Sequence, residues 1–112
     1  MAQELVEVRR YTAPTPNVGE LERLLAVHWR ALHMHGLVTD APPLILRQAG
    51  ADRTTYVEVF AWADGPAIER AETTPAIRSV REPMQALCTT IEDDRYATVP
   101  QLELDARLEG AE

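Results

Sequence analysis

Hydrophobic and polar side chains follow two different periods in the first third of the chain. Residues 4–12 alternate between two sets of side chains, and this period of two predicts a first strand. A helical repeat follows over residues 18–35, between a capping box that begins at Asn17 and the helix-stopping Gly36. The stripe of this predicted helix comprises Leu21, Leu24, Leu25, His28, Ala31, Leu32 and His35.

Two further strands are predicted in the middle of the chain. Residues 44–48 form a short apolar run before Gly50, which suits a strand of an edge hairpin. Residues 55–62 alternate between bulky and small side chains, and both faces look covered, so this strand should be central. The bulky face carries Tyr56, Glu58, Phe60 and Trp62.

The second helical region is predicted to consist of two pieces. One piece can start at Pro66, and Thr74 with Pro75 forms a fresh start, because proline is favoured at the first helical position. Pro83 should remove one backbone hydrogen bond and kink the second piece. The buried stripe of this region is predicted to be Ile77, Val80, Met84, Leu87, Cys88 and Ile91.

The end of the chain adds one more predicted strand. Residues 92–95 should be a polar connector and residues 100–104 a short strand, with residues 107–112 as a frayed tail. A chain of 112 residues suits one domain with a single core, which we assign to residues 1–106.

The predicted element order is strand, helix, strand, strand, helix, strand. This βαββαβ order predicts an α+β, ferredoxin-like fold, in which two helices cover one face of a four-stranded antiparallel sheet. The other face would carry small apolar side chains, namely Val6, Val8, Val57 and Val59. Leaving such a patch in water is unfavourable by ~25 cal/mol per Å². We therefore expect a homodimer in which two sheets pack face to face as a dimeric α/β barrel.

Charge and composition narrow the range of partners and cofactors. The formal net charge is −7 and the arginines form no basic cluster, which argues against nucleic acid and membrane partners. The chain contains no lysine, so it cannot hold pyridoxal phosphate as an internal Schiff base. Cys88 is the only cysteine, which excludes an intrachain disulfide and suits a reducing compartment. No segment approaches the roughly 20 apolar residues of a membrane span, so we expect a cytoplasmic location.

Several runs of residues form a recognisable pattern over nearly the whole chain. They are residues 56–62, 74–77, 82–84 and 87–88, together with Tyr11, residues 36–40 and residues 99–100. The pattern resembles uncharacterised bacterial members of the dimeric α/β-barrel superfamily, which includes the antibiotic biosynthesis monooxygenases. This resemblance implies the fold and leaves the activity open among oxygenation, isomerisation, decarboxylation and haem degradation. Haem-degrading members use a histidine of the second helix, and residues 66–91 contain none, so haem degradation is not expected.

The three histidines, His28, His33 and His35, lie close together at the end of the first predicted helix. His28 and His35 share the apolar stripe, so both should face the sheet. Glu58 on the bulky strand face could orient or pair with one of them. We therefore regard His28 or His35, together with Glu58, as a candidate general base toward an acidic phenol or enol. The alternative is that the histidines are helix-end residues favoured by the C-terminal helix dipole.

Side chains of the first and third strands are candidate ligand contacts. Tyr56, Phe60 and Trp62 could form an aromatic wall for a flat ligand. Arg9, beside Tyr11, could anchor a carbonyl or carboxylate of that ligand. The alternative for Arg9 is a structural ion pair with a neighbouring glutamate, because a buried charge needs a partner.

Neither a metal site nor a tightly bound cofactor is expected. His28 and His35 lie two helical turns apart, about 10 Å, which is too far for both to bind one metal with Glu58. We therefore predict a homodimeric, cofactor-independent monooxygenase or isomerase that acts on a small flat aromatic or enolic substrate. The alternative is a non-catalytic, small-ligand-binding or stress-responsive homodimer with the same pocket.

Overall fold

Across residues 4–99, the chain forms a sheet of four antiparallel strands, and the helices pack on one of its faces. The computed structural model describes residues 4–99. Its strands are β1 (Leu5–Pro14), β2 (Leu44–Ala49), β3 (Arg53–Ala61) and β4 (Thr90–Ala97), and its helices are α1 (Val18–Met34), α2 (Pro66–Thr73) and α3 (Pro75–Leu87). The strand order is β2-β3-β1-β4. The predicted ferredoxin-like α+β fold is confirmed, and the second helical region is divided into two helices as expected.

The two central strands bury every second side chain. β1 and β3 pair antiparallel, with Arg9 opposite Glu58 and Tyr11 opposite Tyr56. These four side chains face the helices and are buried, because successive side chains of a strand point to opposite faces. The other face carries the half-buried side chains Val6, Val8, Val57 and Val59. Burial therefore follows the two faces that the sequence pattern predicts.

One of the two predicted end signals of α1 forms. The side chain of Asn17 does not cap α1. Its Nδ2 instead donates to the backbone carbonyl of Leu87 at 3.0 Å, which connects the start of α1 to the end of α3. The predicted capping box is therefore wrong. At the other end, Gly36 has a φ of 67°, and the N–H of Leu37 donates to the carbonyl of Leu32 at 3.0 Å. This is the predicted glycine stop.

The strand β4 differs from the sequence prediction. Residues 92–95, predicted as a polar connector, lie within β4, and Ile91, predicted on the helical stripe, pairs with Tyr11 of β1. The strand lies at the edge of the sheet and is mostly exposed, so its sequence shows no apolar alternation. Ion pairs support it instead, as between Arg10 Nη1 and Asp94 Oδ2 at 3.4 Å. Backbone pairing with β1, from Leu5 opposite Ala97 to Thr12 opposite Thr90, allows this polar run to form a strand.

The remaining predictions for the second half concern Pro83 and the end of the chain. α3 runs through Pro83 and ends at Leu87. The predicted strand at 100–104 and the tail at 107–112 lie outside the described residues, so the domain bounds 1–106 stay a prediction. Of the helices that the structure describes, none combines the length and the hydropathy that a membrane span requires.

Polar and charged side chains are buried in the core between the sheet and the helices. One apolar cluster surrounds Tyr11, Leu21 and Met84, and another surrounds Leu32 and Phe60. The buried polar side chains among residues 4–99 are Glu7, Arg9, His28, Thr54 and Glu58. Because a buried charge is unfavourable without a partner, the contacts of these residues define the candidate site.

Candidate functional site

His28 of α1 and Glu58 of β3 form a hydrogen-bonded pair between helix and sheet. Both residues are 0% exposed. His28 Nδ1 lies 3.0 Å from Glu58 Oε2 and 3.1 Å from Glu58 Oε1. The helical period turns the imidazole toward the sheet, and the strand period turns the carboxylate toward the helix. The structure thus brings two of the predicted site residues together.

Tyr11 and Arg9 extend this pair along β1. The Tyr11 hydroxyl donates to Glu58 Oε1 at 2.7 Å and accepts a hydrogen bond from Arg9 Nε at 2.8 Å. Arg9 Nη1 donates to Asp93 Oδ2 of β4 at 3.3 Å. Arg9 is therefore linked to Glu58 through the tyrosine hydroxyl. Its ion pairs are with Asp93 and with Glu7, whose Oε2 lies 3.8 Å from Arg9 Nη1. The structural ion pair with a neighbouring glutamate, which was the alternative expected for Arg9, is thus present.

Arg81 of α3 contacts the other side of His28. Its Nε donates to His28 Nε2 at 3.0 Å. Because Nε2 accepts this bond, the imidazole proton lies on Nδ1, which donates to Glu58. Both ring nitrogens of His28 are therefore hydrogen-bonded. The Nη2 atom of Arg81 is buried and has no hydrogen-bond partner among residues 4–99.

Burial and hydrogen bonds set the protonation states of Glu58 and Tyr11. Burial alone would raise the pKa of Glu58, but its interactions with His28, Tyr11 and Arg9 outweigh burial and lower this pKa. Burial and the adjacent Glu58 carboxylate raise the pKa of Tyr11 well above its usual value. At neutral pH, Glu58 is thus a carboxylate and Tyr11 is a neutral hydroxyl that donates to it.

A second buried carboxylate, Glu7, lies on the same face of β1. Its Oε1 accepts hydrogen bonds from Trp62 Nε1 at 3.0 Å and Arg95 Nε at 2.8 Å. Its Oε2 has no hydrogen-bond partner within the described chain, although Arg9 Nη1 lies 3.8 Å away. Burial raises the pKa of Glu7, and the contacts with Trp62 and Arg95 offset only part of that effect. Glu7 is therefore less fully compensated than Glu58.

A polar cleft of about 430 Å³ opens beside Arg9 and Arg81. The cleft is lined by Arg9, Ala71, Glu72, Arg78, Arg81, Glu82, Gln85 and Asp93. Its volume lies within the range of small-molecule sites. Arg81 both lines this cleft and contacts the imidazole, so its side chain lies between His28 and the cleft.

The three aromatic residues predicted to form one wall lie in different places. Tyr56 lines a second cleft of about 360 Å³, where its hydroxyl donates to Glu22. Phe60 and Trp62 are buried in the core with their ring centroids 5.1 Å apart, and they line neither cleft. The part of the chain that the structure describes therefore forms no single aromatic wall from these residues.

His35 does not reach the buried cluster. α1 ends at Met34, and the exposed His35 places Nδ1 2.9 Å from the carbonyl oxygen of Ala31. The expectation that His35 faces the sheet is wrong, because the helical period stops one residue before it. Among residues 4–99, no group of three potential ligand side chains could hold a metal ion.

Arg81 is one of the residues of this site that the sequence patterns did not indicate, and Asp93, predicted in a polar connector, is another. Arginine beside an apolar helical stripe is usually exposed and covers the stripe with its methylene groups. The available signal was its spacing, since Arg81 lies four residues after the buried Ile77 and therefore on the same helix face.

Comparisons with known proteins are informative at the level of structure. No protein-family model matches the chain, and no curated protein is significantly similar to it. SnoaB from Streptomyces nogalater, a cofactor-independent oxygenase, superposes with a TM-score of 0.71 at 22% identity, over 88% of this chain and 95% of SnoaB. A candidate antibiotic biosynthesis monooxygenase from Nitrosomonas europaea superposes with a TM-score of 0.70 at 12% identity, over 88% and 93% of the two chains. The chain has the antibiotic biosynthesis monooxygenase-like fold.

The same monooxygenase-like fold recurs in a candidate enzyme of this kind from Deinococcus radiodurans. That structure superposes with a TM-score of 0.68 at 13% identity, over 85% of this chain and 92% of the other. The resemblance seen in the sequence is thereby confirmed for the fold. At these identities the monooxygenase-like fold does not specify a reaction, so the chemistry has to be argued from the residues of this chain.

Proposed function

We propose that the protein is a cofactor-independent monooxygenase or isomerase that acts on a small flat aromatic or enolic substrate in the polar cleft. The observation that carries this proposal is the buried pair of Glu58 and His28. The other ring nitrogen of His28, Nε2, accepts a hydrogen bond from Arg81, which lines the cleft. Both reactions begin with removal of a proton from an acidic substrate. The likeness to an oxygenase supports the proposal at the level of the fold.

His28 is the candidate general base. Because Glu58 holds the proton on Nδ1, the basic site of the imidazole is Nε2. When Nε2 accepts a proton from the substrate, the Glu58 carboxylate stabilises the imidazolium that forms, as in other catalytic pairs of histidine and carboxylate. Arg81 occupies Nε2 in this structure, so the substrate has to replace its guanidinium at that nitrogen.

Arg81 and Arg9 are candidates for stabilising the anion that proton removal creates. Both guanidiniums line the cleft, and both side chains are largely withdrawn from water. Donors that are held in place in a poorly solvated site stabilise a developing oxyanion more than water does. The phenolate or enolate oxygen of the substrate would lie against one of these two guanidiniums.

Oxygenation of anthrone illustrates how the proposed reaction balances. His28 removes one proton from the methylene group, and the carbanion transfers an electron to dioxygen before the two radicals combine into a peroxide anion. The His28 imidazolium returns its proton to this anion, which gives the hydroperoxide and restores the base. Loss of water breaks the O–O bond and the second C–H bond, and the carbonyl group of the quinone forms. The substrate carbon supplies all four electrons, so no other reductant is required. Isomerisation would instead end with return of the proton to a different atom.

The test uses anthrone and anthrone-2-carboxylate as probes with the full chain. Exchange of the methylene protons in D₂O is followed by NMR without oxygen, and oxygen uptake is then measured with the same samples. His28→Gln should lower either rate by about 100-fold or more, the scale of general base catalysis. His35→Gln is the matched control, because it removes an exposed imidazole of the same helix segment.

The outcomes separate the two reactions from a protein without catalysis. Exchange that depends on His28 and is accompanied by oxygen uptake supports the monooxygenase, and exchange without uptake supports the isomerase. If neither probe reacts faster than in buffer, or if His28→Gln reacts at the rate of the wild type, the proposal is overturned.

A non-catalytic, ligand-binding protein is the second candidate. The observation that favours it is that His28 is fully buried and both of its nitrogens are already hydrogen-bonded. Such a protein would bind the probes without exchanging their protons.

We also propose that the protein acts as a cytoplasmic homodimer. Exposed apolar side chains on the open face of the sheet support the dimer, notably Leu44, Leu46 and Tyr96. The register places them beside the valines of the same face, since Leu44 is opposite Val59. The single thiol, Cys88, suits a reducing compartment.

A further inference from the structure

The hydrogen bonds of Arg81 leave its positive charge poorly compensated. Its Nε donates to the imidazole of His28 instead of a carboxylate, and its buried Nη2 has no hydrogen-bond partner among residues 4–99. A buried N–H without a partner is unfavourable by more than an average hydrogen bond contributes. Residues 4–99 therefore supply no acceptor for this end of the Arg81 guanidinium.

The guanidinium of Arg9 adds a second positive charge near that of Arg81. Burial and the nearby charge of Arg9 lower the pKa of Arg81, although the group stays charged at neutral pH. Arg9 and Arg81 line the same cleft. Two like charges beside one small cleft favour the entry of an anion.

The carboxylates around the cleft are engaged elsewhere or lie in solvent. Asp93 Oδ2 accepts from Arg9 at 3.3 Å, and Glu82 Oε1 lies 3.9 Å from Arg78 Nη2. Glu72 is exposed. None of these carboxylates hydrogen-bonds to Arg81 Nη2, so a ligand anion can supply the acceptor that residues 4–99 do not.

We infer that Arg81 and Arg9 form an anion subsite and that the ligand of this cleft is a flat aromatic or enolic carboxylate. This inference rests on the proposed function for the use of the same cleft and specifies the substrate class. A carboxylate that pairs with the Arg81 guanidinium provides the missing acceptor for Nη2. The same pairing draws Nε away from His28 and frees Nε2 for the acidic group of the ligand.

The test compares two probes that differ by one carboxylate. The dissociation constants of anthrone-2-carboxylate and anthrone are measured by calorimetry without oxygen. The wild type should bind the carboxylate about tenfold or more tightly than the neutral probe, as expected for one charge-assisted hydrogen bond. Arg81→Gln should abolish this preference, and Arg81→Lys, which keeps the charge but lacks the forked donors, should retain part of it.

Arg30→Gln is the matched control, because it removes one positive charge from an exposed position of α1 that lines neither cleft. It should leave the preference unchanged. Equal binding of the two probes by the wild type overturns the inference. A preference that survives Arg81→Gln in a variant that unfolds at the same temperature as the wild type also overturns it.

The position of Arg81 is followed separately by the ¹⁵N resonances of His28. Binding of the carboxylate should shift the Nε2 resonance, because this atom loses the hydrogen bond from Arg81, and the neutral probe should shift it less. An unchanged Nε2 resonance with bound carboxylate rules out release of the imidazole. If the preference depends on Arg81 but no proton exchange occurs, the anion subsite stands and the proposed function fails. If exchange depends on His28 but both probes bind equally, the proposed function stands and the anion subsite fails.

Discussion

Glu58 and Glu7, on neighbouring strands, are both fully buried carboxylates, but their charges are balanced to different degrees. Both oxygens of Glu58 accept hydrogen bonds, and its pKa is lowered. One oxygen of Glu7 has no hydrogen-bond partner in the described part of the chain, and its pKa is raised. Because a shifted pKa is a difference in stability between two protonation states, these residues should respond differently to substitution and to pH.

Glu58→Gln should destabilise the fold by about 2 kcal/mol at pH 7, because the hydrogen bonds from His28 and Tyr11 lose their charged acceptor. A carboxylate with a lowered pKa contributes stability above its usual value of 4.5, and this stability is lost as the pH falls through the lowered value. The difference between wild type and variant should therefore shrink below pH 4.5. Urea unfolding at several pH values measures it, and a difference that is constant with pH would contradict the assignment.

Glu7→Gln should stay within about 1 kcal/mol of the wild type at pH 7, because the charge it removes is unfavourable in its buried site. The raised pKa means that the ionised form of Glu7 is less favourable in the folded than in the unfolded state. Its contribution should therefore become more favourable as the pH falls through the raised value. The same unfolding measurements apply, and a loss as large as that of Glu58→Gln would show that the ionised form is well compensated.

The sequence predicted part of this site at the level of residues. His28 and Glu58 could be placed together because the sequence pattern puts each of them on the buried face of its own element. The position of His35 could not be predicted, because it depends on whether α1 stops before or after that residue. The link from Arg9 through the Tyr11 hydroxyl to Glu58 depends on side-chain rotamers, which a periodic pattern does not specify.

At the scale of elements, the end of α1 depends on the backbone conformation of one residue. Gly36 has a φ of 67°, where a side chain is disfavoured, and no other atom lies within 4 Å of the place that its Cβ would occupy. Gly36→Ala should therefore destabilise the fold by about 1 kcal/mol through backbone strain alone. Gly19→Ala is the control inside α1, where alanine is favoured and no contact arises, and it should be neutral or stabilising. Thermal unfolding of both variants measures the contrast, and equal effects would contradict it.

The strand β4 marks the limit of prediction from periodicity among the elements. β1 and β3 were predictable because one of their faces is covered by helices, which imposes alternation. Within residues 4–99, β4 pairs only with β1 and lies at the sheet edge, so neither of its faces needs apolar side chains. Its polar residues form cross-strand ion pairs that become visible only when the register is known.

At the scale of the whole molecule, the open face of the sheet should hold two chains together. Leu44, Leu46 and Tyr96 are each about half exposed on this face, and such side chains favour burial. Sedimentation equilibrium should give twice the 12.5 kDa mass of one chain. Val59→Glu, in the middle of the face, should weaken the association by about 100-fold or more, because burying an unpaired charge is unfavourable.

Met34→Glu is the control for this substitution. Met34 is 76% exposed at the end of α1, away from the sheet face, and its replacement should leave the mass in solution unchanged. A wild-type chain that sediments at 12.5 kDa would contradict the proposed dimer.

The alternation along β1 also constrains how this protein can diverge. The strand carries Glu7, Arg9 and Tyr11 under the helices and the valines on the opposite side. An insertion or deletion of one residue would rotate every following side chain to the other side and would bring charged groups onto the apolar surface. Descendants of this gene should therefore keep the length of β1, and length changes should accumulate in the connections between elements.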